Sequence, residues 1–357
     1  MRNIASVFIV VLFLAIGLFS TVSAQSLQNQ NLEETLEAKI TRIIQEKEVS
    51  VEGKKQTEQT LELLITRGSI KGQKITLENG DVAVSNSVRY IVGDEVIVNY
   101  SKGTNGRGTY ITDYIRRLPI YILSVVFVGL VVLIGRWKGA ASLISLAISF
   151  FFIMSMIIPQ ISQGVSPIVI VMLASIFIIP ITFYLSHGVN KKTTVAIIGT
   201  FLSLVISGVL IIWFSQLMKL SGFISDEASF LQVMKGNINM KDLLLAGMMI
   251  GTLGAINDIT ISQSAVIFQL QQTDPKLGWR ELYKRAMNVG QDHIGSMVNT
   301  LVLVYAGASL PLFLLFSDNP KPFGQVINYE IIAVEILRTL IGSIALILAV
   351  PFTSLLA

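Results

Sequence analysis

Asn257 and Asp258 stand in the middle of a stretch, Leu243 to Leu270, that is otherwise apolar, small or uncharged. A carboxylate at the centre of a membrane-spanning helix costs about 2.5–3.5 kcal/mol on insertion scales, so it persists there when it is paired, protonated, hydrated or useful. Gly247, Gly251, Gly254, Asp258 and Ser262 follow one another at intervals of four, three, four and four, which places them on one helical face. Small residues on such a face admit a neighbouring backbone and turn the carboxylate toward protein. Gly251 and Gly254 also predict a loosened helix ahead of Asn257, as in discontinuous helices that offer backbone groups to ions. The plainer reading of this face is a packing seam with one helix-to-helix hydrogen bond.

Two further clusters follow. Asp292, Ser296 and Asn299 recur at i, i+4 and i+7 with His293 alongside, and Asp292 equally suits the cap of a helix starting there. Glu335 and Arg338, three apart, can pair near a membrane boundary, with Glu330 before them and Gly342 continuing their face. Together the expected polar site holds Asn257, Asp258, Ser262, Asp292, Asn299, Glu335 and Arg338 between the last three spans. Gly247, Gly251, Gly254 and Gly342 are the expected helix-packing glycines. A carboxylate desolvated in such a place binds protons more readily, as a proton relay requires.

The rest of the chain bounds what this chemistry can be. Of 357 residues, 52% are hydrophobic and 14% charged, against about 25% charged in soluble domains. The net charge of +4 reflects basic loops at a membrane better than a nucleic-acid partner. There is no cysteine, and His187 and His293 are the two histidines, which leaves no thiolate or multi-histidine metal site. His187, within Ser186 to Lys192, reads as a polar loop residue. No Walker loop, His-Glu-x-x-His helix or Gly-x-Ser-x-Gly elbow occurs, so neither a cofactor nor an enzyme is expected. An Asp258–Asp292 hydrolytic pair is disfavoured by depths differing by roughly 15 Å, at 1.5 Å per helical residue.

Residues 1–24, with an apolar run from Ile4 to Leu18 and small residues at Val22-Ser23-Ala24, fit a signal peptide. Residues 25–116 alternate in short apolar runs at 61–65, 75–77 and 96–98, with turns at Arg67-Gly68, Asn79-Gly80-Asp81 and Gly103 to Gly108. Such a pattern predicts a small β-rich domain, OB-like and barrel-forming, although Leu32 to Glu46 suits a helix equally. Residues 117–357 then give seven apolar runs: 118–134, 140–158, 165–185, 194–217, 243–270, 294–316 and 331–356. The expected fold is therefore an all-α membrane bundle of about seven helices behind a β-rich extracytoplasmic domain. Basic residues number eight in the loops that would face inward (136, 138, 191, 192, 276, 280, 284, 285) and four outside (219, 235, 241, 321). That balance predicts an exported N-terminal domain and a cytoplasmic C-terminus, with Arg116 and Arg117 as the exception. Residues 276–285 form a basic amphipathic segment suited to headgroups.

Several of these segments resemble the YibE/F family of bacterial multi-spanning membrane proteins. The likeness lies in Tyr90-Ile91-Val92-Gly93-Asp94-Glu95-Val96, in Tyr110 to Tyr114 with Arg116, and in Gly251-Thr252-Leu253-Gly254-Ala255-Ile256-Asn257-Asp258 with Ser262. It continues in Gly290 to Leu301 and in Glu335 with Gly342-Ser343 and Pro351-Phe352-Thr353. The resemblance spans most of residues 35–357 and implies a plasma-membrane protein described as a permease, with no substrate attached. Two functions are expected from these features: a permease for a small solute or ion, or a non-catalytic scaffold whose exported domain binds an envelope partner. The lipid bilayer is the expected surrounding, nucleic acid is not expected, and self-association into a homo-oligomer fits either function.

Overall fold

The computed structural model describes residues 33–51, 54–79, 89–101, 109–317 and 321–357. The expected signal segment and the turns at Gly80-Asp81 and Gly103 to Gly108 lie outside them. Two compact units divide between Leu130 and Val131.

The N-terminal unit is an antiparallel sheet of β1 (Glu33–Val51), β2 (Lys54–Arg67), β3 (Lys74–Asn79), β4 (Glu95–Ser101) and β5 (Tyr110–Tyr114), in the order β3-β2-β1-β4-β5. The segment open to a helical reading is the central strand β1. Its Leu36, Ala38 and Ile40 alternate with Thr35, Glu37 and Lys39, and only period two buries all three on one face. Ile40 lies opposite Leu63 and Ala38 opposite Ile65 on one side, while Leu36 pairs with Val98 on the other. Leu61, Leu63, Leu77, Val96 and Val98 complete the core, each buried leucine contributing about 1.5–3 kcal/mol. Among the described residues Gln59 is the polar member of this interior. Its Nε2 donates to the Tyr90 carbonyl at 3.0 Å, and its Oε1 accepts from the Tyr90 amide at 2.8 Å.

The barrel expectation is not met. Among the described residues β3 and β5 share no ladder, and both are short edges of six and five residues. Closure needs matched tilt and stagger around the whole ring; short edge strands are another means of limiting unwanted pairing.

The rest of the chain is helical: α1 (Arg117–Phe152), whose residues up to Leu130 fall in the N-terminal unit, a π-turn at Ile153–Ile157, α2 (Ile158–Ser162), α3 (Pro167–His187), α4 (Lys191–Leu217), α5 (Asp226–Met234), α6 (Met240–Thr273), α7 (Trp279–Ala308), α8 (Leu310–Ser317), α9 (Phe323–Val326) and α10 (Glu330–Leu356). Among the described residues five helical stretches are long and apolar enough to cross a membrane, or six if α7 and α8, bent 65° apart, form one broken span. Seven apolar runs reduce to this number because Arg117–Ser162 forms one 46-residue stretch. That stretch is not straight: Arg136 has φ 49° and ψ −132°. A methyl group on Gly139 would strike the carbonyl of Val131, a pair that eight residues of straight helix would hold roughly 12 Å apart. The chain therefore doubles back at Arg136.

The interior of the helical unit sets small and hydroxylated residues among buried isoleucine, leucine, valine and methionine side chains. Gly199 lies against Thr353, where a Cβ would collide, and one at Gly290 would lie 2.5 Å from Val350. These are the close approaches of α4 and α7 to α10. Thr200 and Thr260 hydroxyls meet at 2.7 Å between α4 and α6, and Ser264 Oγ donates to the Lys192 carbonyl at 2.7 Å. One amide ties three helices, since Gln263 Nε2 donates to the Ala286 carbonyl at 3.0 Å and to Ser354 Oγ at 2.7 Å. Glu330 accepts from the Ser221 and Gly222 amides at 2.6 and 2.9 Å, holding the chain that follows α4 to the start of α10. Outward, Leu133 and Ile134 are 77% and 78% exposed. Such an apolar exterior suits lipid and not water.

Candidate functional site

Asp258 is the nineteenth residue of α6, which runs unbroken from Met240 to Thr273, so the expected loosening at Gly251 and Gly254 does not occur. Breaks fall elsewhere, at Arg136, at the π-turn, and between α7 and α8. The glycine face also behaves differently from expectation. Gly247, Gly251, Gly254 and Asp258 are all exposed; a Cβ at Gly247 or Gly254 would meet nothing within 4 Å, and one at Gly251 would lie 3.5 Å from Tyr305 Oη. The reason is packing: α6 turns Leu245, Met249, Ile256, Thr260 and Gln263 inward against its neighbours, and the glycine face lies on the opposite side. Gly342 makes only ordinary contact, 3.9 Å to Leu301.

Asp258 and Asn257 line a cavity of about 290 Å³ with Ser142, Ser145 and Ser149 of α1 and Thr182, Ser186 and His187 of α3. Ser145 Oγ donates to the Ala141 carbonyl at 3.0 Å and meets Ser186 Oγ at 2.7 Å. Ser149 donates to the Ser145 carbonyl at 3.0 Å, and Thr182 to the Ile178 carbonyl at 2.7 Å. Hydroxyls that spend their proton on a backbone carbonyl keep lone pairs for what lies before them. Asn257 Oδ1 is buried with no hydrogen-bond partner, an unmet acceptor that ordinarily demands a donor. With the Asp258 carboxylate, the cavity is rich in acceptors. His187 is the last residue of α3, not a loop residue. Among the described residues no group of three His, Asp or Glu could hold a metal ion.

The other expected members lie apart. Ser262 is half-buried on α6 and does not line this cavity. Asp292 is the fourteenth residue of α7, whose N-cap is Gly278, so it caps nothing; it is exposed, as are Ser296 and Asn299. Glu335 does bind Arg338, Nη1 to Oε1 at 2.7 Å, and lines a different cavity with Tyr305, Phe313 and Lys321. Asp258 and Glu335 thus line separate cavities, and Asn299 lines neither. The residues that join Asp258 were missed because they sit on α1 and α3. A signal existed: Ser142, Ser145 and Ser149 at spacings of three and four, and Thr182 and Ser186 at four, each mark one helix face.

A bundle of long apolar helices with hydroxyls among its buried residues and an acceptor-lined cavity marks a helical protein of a class suited to a membrane. The family model described as YibE/F-like protein matches residues 123–357, about two thirds of the chain, and the chain belongs to that family. No curated protein and no solved structure matches it.

Proposed function

We propose that the chain is a membrane permease whose cavity beside Asp258 takes a small cation or another donor-rich polar solute. The carrying observation is the unmet, buried Asn257 Oδ1 next to the Asp258 carboxylate, in a cavity where the Ser145, Ser149 and Thr182 hydroxyl protons are already engaged on backbone carbonyls. An acceptor-rich cavity favours what brings positive charge or donors. The open glycine face from Gly254 to Gly247 continues from Asp258 along α6 and offers a side-chain-free path away from the His187 end. In this reading the doubling back at Arg136 makes α1 two spans, giving seven crossings, with the β-sheet outside and the C-terminus in the cytoplasm, as the basic loops favour. No bond is made or broken, so the protein acts without catalysis.

The test is flux in proteoliposomes, with the purified chain and a panel of monovalent and organic cations under an imposed pH gradient. Flux above that of protein-free vesicles, reduced at least tenfold in Asp258→Asn with the helical content kept, is expected. The placement of Asn299 and Glu335 outside the Asp258 cavity favours the second reading, a scaffold whose exported sheet binds an envelope partner. A silent Asp258→Asn, together with loss of cellular function on deletion of residues 25–110, would establish that reading instead.

A further inference from the structure

The bend between α7 and α8 leaves a second cavity, of about 630 Å³, against α10. It falls within the range of about 300–1,000 Å³ typical of small-molecule sites. Its wall is almost entirely apolar, with Val302, Ala306, Phe313, Ile332, Ile336 and Leu340 prominent. Such a space between spans is not left empty in a bilayer, because lining atoms without neighbours forfeit their dispersion contacts.

The charges on it decide the occupant. Glu335 is already neutralised by Arg338, which also stacks over Tyr305 at 5.9 Å. Lys321 has no carboxylate partner among the described residues; its Nζ donates to Tyr329 Oη at 2.5 Å and sits 4.9 Å from the centre of that ring. Among the described residues the cavity therefore carries one unbalanced positive charge, at a rim that also bears Phe323, 77% exposed. A lysine set among aromatic rings is the arrangement found where a spanning segment meets the headgroup region.

We infer that this cavity binds an anionic membrane phospholipid, one acyl chain lying between α7, α8 and α10 and the phosphate resting on Lys321 Nζ. An apolar chamber with a cation at its mouth matches that amphiphile at both ends. The inference is independent of transport through the Asp258 cavity.

Native mass spectrometry of the purified full chain, offered dioleoyl phosphatidylglycerol and dioleoyl phosphatidylcholine in equal amounts, tests it. One bound phosphatidylglycerol is expected in preference to phosphatidylcholine by roughly fivefold, the worth of one basic contact to an anionic headgroup. Lys321→Gln, an exposed position that does not endanger folding, should bring the ratio close to one. Ala306→Phe, which fills the chamber, should lower retention of both lipids. Equal retention by the unaltered chain, a ratio unchanged in Lys321→Gln, or a lipid-free dimer in place of the lipid adduct overturns the proposal.

Discussion

The sheet and the helical bundle both bury apolar side chains, but they differ in how many hydroxyls they bury with them and in what they expose. In the sheet the interior is Leu36, Ile40, Leu61, Leu63 and Ile65, while charged residues such as Lys39 and Arg42 face out. In the bundle Thr200, Ser203, Ser207, Thr260, Gln263 and Ser264 are at most 1% exposed, and Leu133, Ile134 and Trp213 are over half exposed. The same physics explains both. Water rewards removing carbon from the surface, whereas lipid is as apolar as leucine and leaves packing and hydrogen bonds to hold helices together.

Mutations of matched kind should separate the two regimes. The largest effect is expected for Leu63→Ala, which removes a fully buried side chain from the sheet core and should cost about 2–5 kcal/mol, read from hydrogen exchange of the β2 amides. Leu133→Ala, on the bundle exterior, should change stability in bicelles by less than about 0.5 kcal/mol. A large loss there would mean that this surface is packed and not lipid-facing. Next comes Gln263→Leu, which leaves the Ala286 carbonyl without its side-chain donor and removes the link to Ser354. About 1–3 kcal/mol should be lost in bicelle unfolding, despite the gain in apolar surface. Smaller still is the coupling in a Thr200→Val, Thr260→Val double-mutant cycle, about 0.6 kcal/mol.

The smallest effect is acid sensitivity of the sheet. A hydrogen bond from Lys74, then one from Thr41, holds the Glu62 carboxyl below its ordinary 4.5. The Tyr114 amide, then Arg116, holds Asp113 below 3.8. Groups depressed in the folded state stabilise it above their unfolded values and lose that contribution as pH falls through the folded ones. The sheet should therefore weaken slightly below about pH 4.5, and Glu62→Gln should flatten that dependence in a pH series of melting curves. Because both groups lie on the surface, solvent screening keeps the change small.

Much of this was readable along the chain. Alternation in 61–65 and 96–98 marked β2 and β4, and the Glu335–Arg338 spacing marked an ion pair that forms. Leu32 to Glu46 was open to two periods because its apolar residues are sparse enough to satisfy either, and only the flanking ladders of β2 and β4 resolve it. His187 read as a loop residue because Gly188 and Asn190 follow it, which in fact mark the end of one helix and the cap of the next.

Composition by itself determined that the chain has two parts made for two solvents, since the apolar content of each segment is a local property. It also determined that Asp258 carries a cost that calls for an explanation. Which groups meet that carboxylate was decided by the tertiary structure alone. Helical spacing names the face on which a residue lies but not the helix across from it; the packing of α6 on α4 and α10 through its leucine, methionine and threonine side turned Asp258 toward the serines of α1 and α3.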